Sequence, residues 1–500
     1  MLNPPADNAE RLKLIKLGIK KLKHDAMIFV EADAGGGKTH TCKLFLDAHP
    51  DTRIHYMSFC NSNIYDMNEK LGKARTFKIF GRYWHQARHI RSTFDSFCWQ
   101  MCGWAKRCPK QTFDKLDTYL IKWLREQADR AGDNKHIREF RQTILRSSTI
   151  PDDWWGYDFL GWCKEKEVRD QEIYNYYTLA LVRLKELRTH HNVYIIDEAQ
   201  DLKEIALVLF KYLPAIKIFV GDGKQSIYGD ATSKKNRVYN VFKYFKCDKI
   251  TKIKLSVSFR TGQTLLNWVS TNMDHKCVSS SRIDTKYEFG TEWKQFFSTK
   301  QPEQTGAMLE PNWLYIIEIF LENYKRHKDT HFYITRDDLN KIATREKLRK
   351  MCISELKSLG LSYKLTLREK DKNNFQSHLM RKGKEWLMDY LPPAYNKFIG
   401  FNDIYGKYNY IKGANIIRLS TIHGFKGSEA GYVYVSENSL PINQTHGDWI
   451  HRTNLFYVAV TRPTHRLRLP KHEGKPCDPP DWEEPQINDL MGRPIKKRKL

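Results

Sequence analysis

The sequence predicts an α/β protein of more than one domain, on three observations. Residues 193–196 (VYII) read as a strand buried in a parallel sheet, and they run straight into Asp197-Glu198-Ala199-Gln200-Asp201. Residues 26–30 (AMIFV) read as a second such strand, followed by a glycine-rich turn and a helix that begins at residues 41–46. The chain has 500 residues, 41% of them hydrophobic, which is more than one core of ordinary size holds.

The strand at 193–196 organises the rest. Ligands of open α/β sheets bind at the carboxyl ends of the strands, where Asp197 and Glu198 stand. An Asp there can hold Mg²⁺ beside a nucleoside triphosphate, and a Glu one residue on can orient the attacking water. A solvated acidic turn is the simpler reading of an isolated Asp-Glu pair, and the glycine-rich turn reverses that preference. Its residues, Ala32-Asp33-Ala34-Gly35-Gly36-Gly37-Lys38-Thr39, lie between strand and helix as a phosphate-binding loop requires. The glycines let backbone N–H groups turn inward around phosphate oxygens. Lys38 supplies a point charge to the β- and γ-phosphates, and the Thr39 hydroxyl can ligate Mg²⁺.

Lys and Arg number 84 against 58 Asp and Glu, a formal charge of +26. An excess of this size points to a polyanionic partner, nucleic acid before membrane. No apolar run is long enough to span a bilayer and the N-terminus lacks an apolar signal core, so a soluble intracellular protein is expected. Ten cysteines in this length do not make a disulfide framework. Cys98, Cys102 and Cys108 lie close together with His85 and His89 upstream, which could be read as a metal or iron–sulfur site. The spacing matches no standard ligand set and favours buried free thiols.

Taken in order, residues 1–25 read as a basic polar helix and 54–59 as a strand. Residues 93–189 read as a helical insert whose Trp99, Trp104, Trp123, Trp154, Trp155 and Trp162 belong to its core rather than to base stacking. An amphipathic helix at 202–213 and strands at 216–220 and 250–255 follow. The second half is expected to be less regular until a strand at 330–334 and a helix ending before Gly360. Strands are expected at 415–419, 432–435 and 466–469, with a helix at 453–460. Residues 471–500 read as a disordered tail. Within it Arg493-Pro494-Ile495-Lys496-Lys497-Arg498-Lys499 reads as a nuclear import signal or a non-specific DNA-binding segment.

The motifs in this series resemble those of the UvrD/Rep family of superfamily 1 helicases, with a likeness to its F-box DNA helicase branch. The matching stretches are Ala32 to Thr39, DEAQD at 197–201, GDGKQSIY at 221–228, SFR at 258–260, STIHGFKGSE at 420–429 and YVAVTR at 457–462. The resemblance implies two RecA-like cores with ATP and Mg²⁺ between them. Residues 32–39 would cradle the phosphates, with Thr39 and Asp197 on the metal. Glu198 would position water, and Gln225 would sense the γ-phosphate. Arg260 and Arg462 would reach across from the second core as arginine fingers, which ties hydrolysis to closure of the cleft. Phe259 occupies the adenine-stacking position and Glu429 the ribose position. Phe59 and Tyr228 match aromatics that stack on bases of a single strand, and Asn61 and His423 match positions near its backbone.

The same resemblance implies a first core of residues 1–92 and 190–255, a helical accessory insert at 93–189 and a second core at 256–365 and 413–470. The segment 366–412 is too short for the family's usual second accessory domain and is expected to be a reduced one. The chain also has no Gln before Gln86, where the family reads adenine, and Asp230-Ala231 where the family usually has an aromatic and an Arg. The function implied is an ATP-dependent 3′ to 5′ translocase and helicase on single-stranded DNA and DNA junctions, with a protein partner for processive unwinding. An RNA helicase and a nucleic-acid-binding scaffold without unwinding activity are the alternatives.

Overall fold

The computed structural model describes residues 25–58, 64, 67, 89–103, 116–127, 134–168, 170–187, 192–227, 245, 250–273, 277–300, 304–311, 330–333, 415–441 and 446–471. Among them two wholly parallel six-stranded sheets dominate. The first contains β1 (Met27–Ala32), β2 (Ile54–Ser58), β3 (His89–Thr93), β4 (Val193–Asp197), β5 (Ile216–Gly221) and β6 (Ile250–Leu255), in the order β3-β2-β4-β5-β1-β6. Ser58, Asp197 and Val220 are cross-strand partners, so the carboxyl ends of three central strands lie level.

Side-chain alternation divides this sheet between two cores. Val193 and Ile195 of β4 pack with Phe45 and Leu46 of α1 (Lys38–Ala48). Tyr194 and Ile196 face the other way, into a cluster that takes in the helical insert. The insert consists of α2 (Phe94–Cys102), α3 (Leu116–Glu126), α4 (Asn134–Arg146), α5 (Gly156–Glu165) and α6 (Gln171–Arg183). Between insert and sheet runs α7 (Glu204–Tyr212). The expected amphipathic helix is here buried throughout from Ile205 to Phe210, because the insert covers the side that would otherwise meet water. Trp123 and Trp154 are buried in this cluster, and Trp99, Trp155 and Trp162 pack against it. The indole N–H groups of Trp155 and Trp162 are used up on Glu139 and Glu126. Cys98, Cys102 and Cys163 are buried free thiols, and burial pushes Cys102 up to about 12.

The second half opens with the short parallel pair β7 (Val257–Ser258) and β8 (Val278–Ser279), with α8 (Gln263–Met273) between them. It continues through β9 (Lys286–Phe289), α9 (Trp293–Ser298), β10 (Gly306–Glu310), β11 (Thr330–Tyr333), β12 (Asn415–Thr421), α10 (Ile422–Phe425), β13 (Ala430–Val435), α11 (His446–Val460) and β14 (Pro463–Leu469). The strand order of the second sheet is β11-β12-β10-β13-β14-β9.

One expectation is corrected here, and one strand is added to the sequence reading. The stretch up to residue 311 is not irregular: β10 lies between β12 and β13 with all five residues buried. Its signal is weak because it is short and ends on Glu310, a buried carboxylate that accepts from the Ser436 hydroxyl at 2.6 Å. The polar run His89-Ile90-Arg91-Ser92-Thr93 is also a strand. Its polarity is accommodated in part by the His55–Ser92 hydrogen bond, Nε2 to Oγ at 2.7 Å. Some bounds shift as well, with α1 starting at Lys38 and α11 at His446. Among the described residues no helix is long and apolar enough to cross a membrane. The expectations for residues 1–24, Trp104, Cys108, His85, Asp230, Ala231, Gly360, 366–412 and 472–500 lie outside the described residues.

Candidate active site between the two sheets

The phosphate loop leaves β1 and turns into α1. Gly35 and Gly37 have φ of 74° and 71°, a region that side chains avoid. A Cβ on Gly36 would lie 2.8 Å from the Asp33 carbonyl oxygen, and one on Gly35 would lie 2.4 Å from Ser258 Oγ. The loop is therefore tight within itself and closely approached by the segment that carries Phe259 and Arg260. The Phe259 amide donates to the Gly35 carbonyl at 3.0 Å. Helix α1 has no side-chain cap and no acidic residue in its first turn. Its N-terminal dipole and the buried Lys38 suit a phosphate group.

Asp197 ends β4 with both carboxylate oxygens hydrogen-bonded. Tyr56 OH donates to Oδ2 at 2.6 Å, the Thr39 hydroxyl donates to the same oxygen at 3.2 Å, and the Glu198 amide donates to Oδ1 at 2.9 Å. Burial and the neighbouring Glu198 charge raise Asp197 to about 6, against the pull of Tyr56 and Lys38. The pairing of Thr39 with Asp197 is the donor set a hard cation requires, so these residues fit Mg²⁺ bound with a nucleotide.

Glu198 has φ 56°, a left-handed conformation uncommon for a side-chain-bearing residue. Gln200 fixes it: the amide N–H₂ donates to Glu198 Oε2, and its carbonyl oxygen accepts from the Asp222 amide at 3.0 Å. Gly221 must be glycine for this bridge, since a Cβ would lie 2.4 Å from Gln200 Oε1. Burial alone would raise the Glu198 carboxyl. Lys38, Lys426, the Gln200 hydrogen bond and Arg462 outweigh it and hold the group below its ordinary range.

Gln225 Nε2 donates to Asp222 Oδ2 at 2.9 Å. Arg260 Nε donates to Glu429 Oε2 at 2.6 Å, an ion pair that brings the expected finger and the expected ribose contact together. Arg462 is buried, with Nε donating to the Val458 carbonyl at 2.8 Å. Burial and the nearby Arg260 charge lower it to about 9. Phe259, beside the loop, is 42% exposed. Ala32, Asp33 and Ala34 line the same turn. The Ala34 amide donates to Tyr457 OH at 3.4 Å, and burial together with Asp222 raises Asp33 to about 7.

On the nucleic-acid side, His423 Nε2 lies 3.1 Å from the Ile227 carbonyl oxygen. Phe59, Asn61 and Tyr228 lie outside the described residues. The structure also brings forward residues not singled out from sequence: Tyr56, Gln200, Asp201, Lys426 and Tyr457. Gln200, Asp201, Lys426 and Tyr457 stand inside motifs already noted. Tyr56 had no local signal beyond a hydroxyl placed mid-strand.

Two parallel sheets, a phosphate loop on one and arginines from the other define an α/β protein of the RecA-like P-loop class. The "AAA domain" family matches residues 16–231 and the "UvrD-like helicase C-terminal domain" family matches residues 417–469, together more than half of the chain. The chain belongs to the UvrD-like superfamily 1 helicases. No curated protein matches it. Among solved structures it is similar to an arterivirus nonstructural protein 10 helicase, at 10% identity and a TM-score of 0.34, over 93% of this chain and 62% of that one. A likeness of that size carries no argument about activity.

Proposed function

We propose that the protein is an ATP-dependent single-strand DNA translocase and helicase that moves 3′ to 5′. The observation that supports this best is the convergence between the sheets. A phosphate loop with Lys38, the Thr39–Asp197 pair and Glu198 meet Arg260 and Arg462 from the opposite half. In this reading Lys38 and the α1 N-terminus hold the phosphates. Thr39 and Asp197 would hold Mg²⁺, which would neutralise charge on the phosphate oxygens. Glu198, kept ionised, orients water towards the γ-phosphate, and the two arginines stabilise charge as it develops. Phe259 stacks on the base and Glu429 takes the ribose, which releases Arg260 from its ion pair.

The formal charge of +26 supports a nucleic-acid track. The choice of DNA and of polarity rests on the motif resemblance, as do DNA junctions as substrates, whereas a protein partner for processive unwinding rests on the short 366–412 segment and a nuclear address on the basic run at 493–499. The test is ATP hydrolysis with single-stranded DNA, single-stranded RNA or no nucleic acid. Stimulation by DNA supports the reading. Stimulation by RNA alone replaces the track, and no stimulation by either leaves a non-translocating scaffold.

A further inference from the structure

Three consecutive backbone carbonyls tie the first half of the chain to the second. Lys426 Nζ donates to the Gln225 carbonyl at 2.7 Å, Asn454 Nδ2 donates to the Ser226 carbonyl at 2.9 Å, and His423 Nε2 stands 3.1 Å from the Ile227 carbonyl. The acceptors belong to the segment that follows β5. The donors come from α10, the turn after it, and α11. A carbonyl oxygen only accepts, so His423 carries its proton on Nε2. Lys426 is held in place by an ion pair with Asp201 at 2.5 Å, with both side chains buried. Tyr457, one turn beyond Asn454 on α11, donates to Asp222 Oδ2 at 3.3 Å. Ile227 is itself buried in the apolar cluster of the second half, with Leu265, Phe425 and Phe456.

We propose that Lys426, Asn454 and His423 are positioning residues that clasp the Gln225–Ile227 backbone to the second core, so that this segment travels with it. The inference rests on the ATP-driven reading above. The Gln225 side chain stays anchored in the first core through Asp222 while its carbonyl is held from the second. Relative movement of the cores therefore loads this one residue. Tyr228, expected to stack on a base, follows Ile227 directly in the sequence. Because the clasp grips carbonyls, it holds the main chain whatever the side chains of the segment contact.

The test uses Asn454→Ala and Asn454→Asp in the full chain. Asn454 is only partly buried and takes no part in the site itself, so both variants should fold. Asp keeps the volume of Asn but has no proton to give and sets a carboxylate against the Ser226 carbonyl. It separates a donor from a filler. Hydrogen exchange of the peptide spanning residues 222–228 should rise about fivefold or more in both variants, the scale of one lost hydrogen bond. Stimulation of ATP turnover by a saturating oligonucleotide should fall by a similar factor of about five, while turnover without nucleic acid stays within about twofold. Unchanged exchange in both variants overturns the clasp. Wild-type behaviour of Asn454→Asp with a defect only in Asn454→Ala also overturns it, because volume would then be what matters. If the wild type shows no stimulation while exchange rises in the variants, the functional reading fails and the clasp stands.

Discussion

The two sheets share one architecture and bring opposite charge to the cleft. The first presents Asp33, Asp197, Glu198, Asp201 and Asp222, with Lys38 beside Glu198 and with Lys224 and Lys254 acting on Asp33. The half that holds the second presents Arg260 after β7, Lys426 and Arg462, with Glu429 paired to Arg260. The comparison teaches what each half lacks. Glu198 is buried and would tend to take up a proton. Besides Lys38 of its own core, Lys426 and Arg462 of the other favour its ionised form, as the proposed water-orienting role requires. Hydrolysis in this account is a property of the closed pair of cores and of neither alone.

The largest expected effects lie in the first core. Glu198→Gln should lower ATP turnover by about 10³ or more while nucleotide still binds, because only water activation is lost. Lys38→Ala should lose nucleotide binding as well. Turnover equal to wild type in both variants would break the first half of the comparison.

Next comes the cross-core ion pair. Lys426→Met leaves Asp201 buried without its partner and should cost about 3–5 kcal/mol of stability, measured by denaturant unfolding. Asp201→Asn added to it should recover part of that loss. A single variant as stable as wild type would mean that the pair is not closed in solution.

How much of this could be read from the sequence varies by region. β4 and the phosphate loop were plain, because an apolar run meeting two carboxylates, or three glycines and Lys-Thr, has few other uses. β10 was missed although it is central, because Gly306-Ala307-Met308-Leu309-Glu310 is too short and too mixed to show a period. The amphipathic reading of α7 failed for a tertiary reason: the insert buries the side that local sequence would assign to water. In the site, residue types were legible and their partners were not. Nothing local pairs Arg260 with Glu429, 169 positions away, or Tyr56 with Asp197, 141 positions away.

Tyr56→Phe sharpens the first-core side on a smaller scale. The ring stays and one hydrogen bond to a charged group goes, worth about 1.5–3 kcal/mol. The Mg²⁺ concentration that half-saturates nucleotide binding should rise about tenfold or more by the same measure, with binding in chelator unchanged. Equal Mg²⁺ dependence would show that Tyr56 does not orient Asp197.

The smallest effect is a pH dependence at Asp33. Its folded value of about 7 lies above the ordinary 3.8, so the folded chain holds the proton longer than the unfolded one. Stability contributed by this group is lost as pH rises from about 4 to 7, and above that a new anion stands in the phosphate loop. Nucleotide affinity should therefore fall by up to about tenfold as pH rises through 7, and Asp33→Asn should flatten that part of the profile. Parallel profiles for the two proteins would place its titration elsewhere.

The most direct test of the central claim is the ratio of turnover to nucleotide affinity in Arg462→Ala, with Arg260→Ala beside it. If the second core supplies charge that matters only as the γ-phosphate leaves, turnover should fall by about 10³–10⁵ while nucleotide affinity changes by less than about tenfold. Turnover within about tenfold of wild type in both variants would contradict the account, because the first core would then carry hydrolysis without the second.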